Sequence, residues 1–282
     1  MKLAEIDGKQ LITVNPTDSV NHAFTLMVDH DIRHLPIVEG DRVVGIVSDR
    51  DLLIIANWIA TWKSLTHATT AVGKKRVAEL MSSPVSVLSR DDTVEHAAQL
   101  MLERRFSAVP LLQAGRLASI VTETDILRCF LDGATKYVSC PWRGFRVGDH
   151  MARTVVTGKP SDHVMPSFHL MKEKHIRHLP IIDGGKLVGL ISERDLRRTY
   201  GKEIAANLAR DEPSLELAIH YSLRDAMSRN VETISEEATL AEAAARMVKG
   251  KIGALPVTDQ DNLLGIITET DLLKVFVEHG EK

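Results

Sequence analysis

Two hydrophobic rhythms alternate along the chain, and the alternation is played four times. In "PTDSVNHAFTLMVDHD" the apolar positions Val20, Ala23, Phe24 and Met27 fall at helical spacing and define one apolar face. The next stretches, "HLPIV" and "VVGIV", are short β-branched runs joined by the polar turn "EGD", the pattern of a hairpin. The Pro inside the first run predicts an edge position or a strand entry. "LITV" ahead of the helix reads as a short extended stretch. After the hairpin, "LLIIANWIATWKSL" resumes a helical pattern carrying Trp58 and Trp62, which either pack against a partner module or cover their own core. "VSVL", "VVTG" and "VETI" open three further copies of the order strand, helix, strand, strand, helix.

The copies share one register. Pro36/Asp51, Pro110/Asp125, Pro180/Asp195 and Pro256/Asp271 keep a constant separation, and Met27, Met101, Met171 and Met247 each stand nine residues before the Pro. Four 49-residue blocks result: Leu3–Asp51, Val77–Asp125, Val147–Asp195 and Leu223–Asp271. Blocks 1 and 3 agree at 19 of 49 positions, more than block 1 shares with its neighbour. Both carry Arg-His before "LP" and end "SDRD" or "SERD", whereas blocks 2 and 4 end "TETD", so an unlike pair has been duplicated. One block buries too little to stand alone, and neighbouring blocks are expected to share a core. The four Met residues belong to that core.

Composition narrows the function more by exclusion. With 282 residues and 44% hydrophobic content the chain holds more than one small core. A net charge of −3 gives no broad attraction to nucleic acid or an anionic membrane, so any anion site must be local. Cys129 and Cys140 lack CxxC spacing and read as buried or surface thiols. "MKLAEIDGKQ" has no apolar signal region and no apolar run is long enough to span a bilayer, which places the expectation in the cytoplasm. No G-x-G-x-x-G, P-loop, H-E-x-x-H or G-x-S-x-G occurs, and the 12 His residues form no ligand cluster, so neither an enzyme nor a metal site is expected.

The candidate chemistry sits where the second strand of each block turns into a helix. Ser48 would place its hydroxyl, with the first free backbone N–H groups, at the positive end of a helix dipole, which suits a phosphate. Arg50 and Arg194 add a forked cation at that turn, while blocks 2 and 4 have Thr124 and Thr270, so the stronger anion sites are expected on blocks 1 and 3. The bland alternative is that Ser/Thr followed three residues later by an acid is only a capping box. Arg33-His34 and Arg177-His178 have their own alternative as surface charges and a strand-flanking His.

The "h-x-h-h-P" strand followed by "G-h-h-[ST]-x-x-D" resembles the CBS domain, a repeat that comes in pairs called Bateman modules. The chain is accordingly expected to be α/β (α+β), with four repeats of β-α-β-β-α type at residues 1–62, 74–132, 145–202 and 221–280. The resemblance pairs them into modules 1–132 and 145–280, forming a flat pseudo-symmetric disc, a layout similar to the γ regulatory subunit of AMP-activated protein kinase. It implies a non-catalytic sensor of adenine nucleotides (AMP, ADP or ATP), with no required cofactor. Occupancy would pass to a protein partner or through a homodimer, with no nucleic acid or membrane involved. It carries a phosphate to the hydroxyls of Ser48, Thr122, Ser192 and Thr268, and ribose hydroxyls to Asp51, Asp125, Asp195 and Asp271. Arg33, His34, Arg177 and His178 stand where the family often contacts phosphate. Ser119 replaces the Gly found at 45, 189 and 265, and its Cβ is expected to crowd a ligand on block 2. The alternatives are a scaffold with unoccupied clefts, or a binder of S-adenosylmethionine or cyclic dinucleotides.

Overall fold

The computed structural model describes residues 1–6, 11–52, 73–131, 140–210 and 221–279. Trp58 and Trp62 lie outside them. Each repeat builds its first helix, its hairpin and the start of its second helix as the pattern requires. The first helices are Val20–Asp29, Val94–Arg104, Val164–Glu173 and Leu240–Gly250. Ser19, Thr93 and Thr239 cap three of them by accepting from the backbone N–H of His22, His96 and Glu242. The hairpins pair His34–Glu39 with Arg42–Ser48, Ala108–Gln113 with Arg116–Thr122, His178–Asp183 with Lys186–Ser192, and Ala254–Asp259 with Asn262–Thr268. Each has a register shift in its middle, between Ile37 and Val38 in the first and at the matching place in the others. The second helices are Glu123–Leu131, Glu193–Arg210 and Glu269–His279, and residues 49–52 are helical in repeat 1.

Pro36 does not sit on an edge. Its strand is flanked by Arg42–Ser48 on one side and, on the other, by the leading stretch through the parallel bridge Val14↔Ile37. The Pro36 carbonyl accepts from Val14 N–H at 3.2 Å, and Val38 N–H returns to Val14 at 2.9 Å. Proline has no donor to offer one step earlier, so the parallel pairing cannot extend in that direction. Repeats 3 and 4 have the same single bridge, Gly158↔Ile181 and Ile234↔Val257. Only in repeat 2 does the leading stretch, Leu88–Ser89, pair over two residues.

The turn that opens each block packs on another block's body, a departure from the contiguous reading. Val77 N–H donates to Asp18 O (2.9 Å) and Val20 N–H to Lys75 O (2.9 Å), so the opening turn of block 2 caps the first helix of repeat 1. In return Leu3 N–H reaches Asp92 O (2.8 Å) and Val94 N–H reaches Met1 O (3.1 Å). Repeats 3 and 4 make the same exchange, through Leu223 with Asp162 and Val147 with Ala238. The physical reason is that each first helix begins with orphan N–H groups, which the incoming carbonyls satisfy.

The chain divides into two compact units. One comprises Met1–Leu11, Ser86–Val155 and Val231–Lys282; the other comprises Ile12–Val85 and Val156–Asn230. The expectation that neighbouring blocks share a core is therefore corrected, because the bodies of repeats 2 and 4 close one core and those of repeats 1 and 3 the other. Sequence neighbours enter each other's cores through the exchanged turns: Leu3 and Val147 in the first unit, Val77 and Leu223 in the second. In the first unit Phe130, Trp142 and Phe276 form an aromatic centre, with Phe130 4.9 Å from Trp142 and 4.6 Å from Phe276. In the second unit the first helix of repeat 1 packs on the second helix of repeat 3. Met27, Met101, Met171 and Met247 are at most 2% exposed, as core residues should be. Cys129 is buried, with its thiol donating to Asp125 O at 3.3 Å, and Cys140 is half-buried; neither is in a disulfide.

Candidate functional site

All four sheet-to-helix turns have one geometry. Asp51 Oδ2 accepts from Ser48 N–H (2.9 Å) and Oγ (2.6 Å), and Asp195 Oδ2 accepts from Ser192 N–H (2.8 Å) and Oγ (2.6 Å). Asp125 does so from Thr122 (3.0 and 2.5 Å), and Asp271 from Thr268 (3.0 and 2.7 Å). The capping arrangement is thus present in every copy, and it commits one carboxylate oxygen. The other oxygen differs between copies. Asp125 Oδ1 takes Arg128 (2.8 Å), Asp271 Oδ1 takes Lys274 (3.1 Å), and Asp195 Oδ1 takes the Ser228 hydroxyl (3.3 Å).

The residue after each Ser/Thr is an acid, buried at 2–7% exposure: Asp49, Glu123, Glu193 and Glu269. The sequence reading passed over these four, although an acid in all copies was the available signal. In the unit of repeats 2 and 4 they make reciprocal bonds across the repeat junction. Thr124 Oγ1 donates to Glu269 Oε1 at 2.6 Å, and Thr270 Oγ1 donates to Glu123 Oε1 at 2.9 Å.

In the unit of repeats 1 and 3 arginines take the place of those threonines. Arg50 Nε stands 2.7 Å from Glu193 Oε1, and its Nη2 donates to Ile176 O at 3.1 Å, so the arginine of repeat 1 is anchored on repeat 3. Arg197, 1% exposed, reaches back to Asp49 Oδ2 (3.1 Å), to Asp31 Oδ1 (2.6 Å) and to Ile32 O. Arg198 adds a bond to Asp31 Oδ2 at 2.9 Å. Arg33, Arg177 and Arg194 crowd the same junction, where their charges act on His178.

This setting shifts several protonation equilibria. His178 keeps some surface exposure, yet loss of solvent around its ring, aided by Arg177, Arg33 and Arg194, lowers its pKa to about 3. Burial raises Glu193 to about 7 despite Arg50, with the Asp49 charge adding to the rise. Burial also pushes Asp49 upward, against the opposing pull of Arg197 and Arg33. At Asp31 burial works the same way but is outweighed by the Arg198 hydrogen bond and the charges of Arg197 and Arg198, which hold the carboxyl below the ordinary range. Among the described residues no group of acids, His and Cys is arranged to hold a metal ion.

Of the residues singled out from the sequence, Arg33, Arg50, Arg177, His178 and Arg194 come together at the junction of repeats 1 and 3, where Arg33 O accepts from Asp49 N–H. His34 and Ser48 are register partners across the hairpin, as are His178 and Ser192. Thr122, Asp125, Thr268 and Asp271 occupy the matching turns of the other unit. The reason given for Ser119 is corrected. A Cβ on Gly45, Gly189 or Gly265 would meet Met81, Met227 or Met151, with the sulfurs only 2.4, 2.5 and 2.6 Å away. These methionines end the exchanged opening turns, so the glycine makes room for a neighbour's side chain.

The "Uncharacterized protein MJ1225" of Methanocaldococcus jannaschii is 28% identical over 284 residues, covering 98% of both chains. Its crystal structure superposes with a TM-score of 0.85, covering 98% of this chain and 100% of that one. An "Uncharacterized 33.4 kDa protein in ribosomal RNA operon" of Thermofilum pendens is 27% identical, covering 93% of this chain and 87% of its own length. The CBS domain model matches residues 3–56, 77–132, 147–202 and 223–278. With four copies spanning most of its length, each built around the same sheet-to-helix turn, the chain belongs to the CBS-domain family.

Proposed function

We propose that the chain is a non-catalytic regulatory sensor that binds an adenosine-containing ligand, foremost AMP, ADP or ATP, at the sheet-to-helix turns of its repeats. In this reading Ser48, Ser192, Thr122 and Thr268 meet phosphate, and Asp51, Asp195, Asp125 and Asp271 meet ribose hydroxyls. Arg33, Arg50, Arg177 and Arg194 form the anion-attracting surround, with His34 and His178 beside the turns as hydrogen-bonding groups. The observation that carries the reading is the arginine lining of the junction of repeats 1 and 3, where the charges of Arg33, Arg177 and Arg194 all bear on His178, the register partner of Ser192. Arginines gathered beside a hydroxyl and a helix start suit a phosphate.

The junction of repeats 2 and 4 differs. There Thr124 and Thr270 bond Glu269 and Glu123 across the junction, so neutral donors stand where Arg50 and Arg194 stand in the other unit, which supports weaker anion sites at the turns of repeats 2 and 4. The reciprocal exchange of opening turns supports keeping 1–132 and 145–280 as the modules. A sensor without chemistry of its own must pass its state to a partner protein or a second copy, by binding one arrangement better than another.

Isothermal titration with AMP, ADP, ATP and S-adenosylmethionine, alongside thermal unfolding with each, tests the proposal. Saturable heat with an adenine nucleotide is the expected result. No heat and no shift in unfolding temperature with any of them would leave the scaffold reading in its place.

A further inference from the structure

The junction of repeats 1 and 3 is not symmetric, and Arg197 is where the symmetry breaks. On repeat 3, the carbonyl of Ile176 and the acid Glu193 are bridged by Arg50, one residue before Asp51. On repeat 1 the equivalent carbonyl and acid, Ile32 and Asp49, are bridged by Arg197, one turn farther along its helix than Glu193. Asp49 is one methylene shorter than Glu193, and the arginine that reaches it comes from deeper in the helix. The position in repeat 1 that matches Arg197 is Leu53, which has no donor to return the contact.

The bonds of Arg197 fall on the two segments that frame the turn of repeat 1. Ile32 precedes Arg33 and His34; Asp49 follows Ser48 and lies two residues before Asp51. Asp31, which also binds Arg197 and Arg198, holds the left-handed backbone (φ 50) that closes the first helix in every repeat, as Arg105, His175 and Lys251 do in theirs. We infer that Arg197 is a positioning residue for the ligand turn of repeat 1: from the second helix of repeat 3 it fixes the separation between Arg33-His34 and Ser48-Asp51, and so couples the two turns. This rests on the proposed function and names the regulation of that same site. A ligand that spreads or closes the two segments of repeat 1 must move Arg197, and with it the helix whose first turn carries Arg194 and Asp195. The return contact comes from an unlike position, since Arg50 of repeat 1 bridges Ile176 O and Glu193 from the first turn of its helix, whereas Arg197 works from one turn farther along.

The test uses the full chain, with AMP as the probe, by isothermal titration in two backgrounds. Asp195→Ala leaves the turn of repeat 1 intact, and Asp51→Ala leaves that of repeat 3. Arg197→Lys keeps the charge but loses the fork; it is expected to weaken AMP binding about tenfold in the first background and by less than about twofold in the second, the scale of site-to-site coupling. Arg197→Met combined with Asp49→Asn removes both buried charges together, protects the fold against an orphaned carboxylate, and is expected to give the same contrast. Equal weakening in both backgrounds, in step with a lower unfolding temperature, would reduce Arg197 to a structural ion pair and overturn the inference. So would unchanged binding in both while the unaltered chain binds AMP. If the unaltered chain gives no heat and no thermal shift with AMP or ATP, the proposed function itself fails.

Discussion

Gly45 faces Met81 so closely that a Cβ on the glycine would stand 2.4 Å from the sulfur. The contact joins the second strand of repeat 1 to the opening turn of block 2, the same two segments that share the bridge Ile46↔Ser82. Gly45→Ala is expected to destabilise the protein by about 1–3 kcal/mol, the usual cost of overpacking. Shortening the partner in the double variant Gly45→Ala with Met81→Ala should recover part of that loss. Chemical denaturation of the three variants measures it, and additive losses would show that the glycine serves some other need.

Thr124 and Thr270 make the reciprocal bonds that close the junction of repeats 2 and 4. Thr124→Val keeps the shape and deletes one bond to Glu269, a carboxylate 2% exposed. A loss of about 1–3 kcal/mol is expected, because a buried charged acceptor loses a donor. Nucleotide affinity at repeats 1 and 3 should be unchanged, which titration of the same variant checks.

Glu193 and His178 give opposite pH dependences. Glu193 has a folded pKa raised to about 7 from 4.5, so the folded state holds the extra proton and the resulting stability is lost as pH rises through that window. His178 is lowered to about 3 from 6.5, so its contribution is present above the upper value and lost as pH falls towards the lower. Between 4.5 and 6.5 the two slopes offset. Glu193→Gln should therefore expose a stability that rises with pH across this interval, and His178→Asn one that falls. Denaturant midpoints measured across that range decide it; parallel curves for both variants would contradict the assignment.

Asp51 and Asp195 commit Oδ2 to the turn in the same way, so removing either affects the helix start as well as any ligand. Asp51→Ala and Asp195→Ala are each expected to weaken nucleotide binding by about 1–3 kcal/mol, the scale of lost buried hydrogen bonds. Part of any fall in stability belongs to the cap. Comparing titration with unfolding separates the two effects, and unchanged affinity in both variants would place the ligand elsewhere.

Much of this was legible in the residue pattern because it is local. Helical spacing put Met27 and its three counterparts in the cores, and turn chemistry put Ser48 and Asp51 in one capping geometry, since each depends on residues within a turn or two of each other. Four copies in one register multiplied a weak signal into a family assignment. The partnership of repeats was not legible. An apolar helix face states that it must be covered but not by which of three similar faces, and that choice rests on side chains far apart in sequence, such as Arg197 with Asp49 or Thr124 with Glu269. The sequence alone determined the repeated unit and its turn. Tertiary packing decided which repeats share a core, which arginine answers which carboxylate, and why a glycine must face a methionine, because burial and charge pairing are settled by neighbours in space.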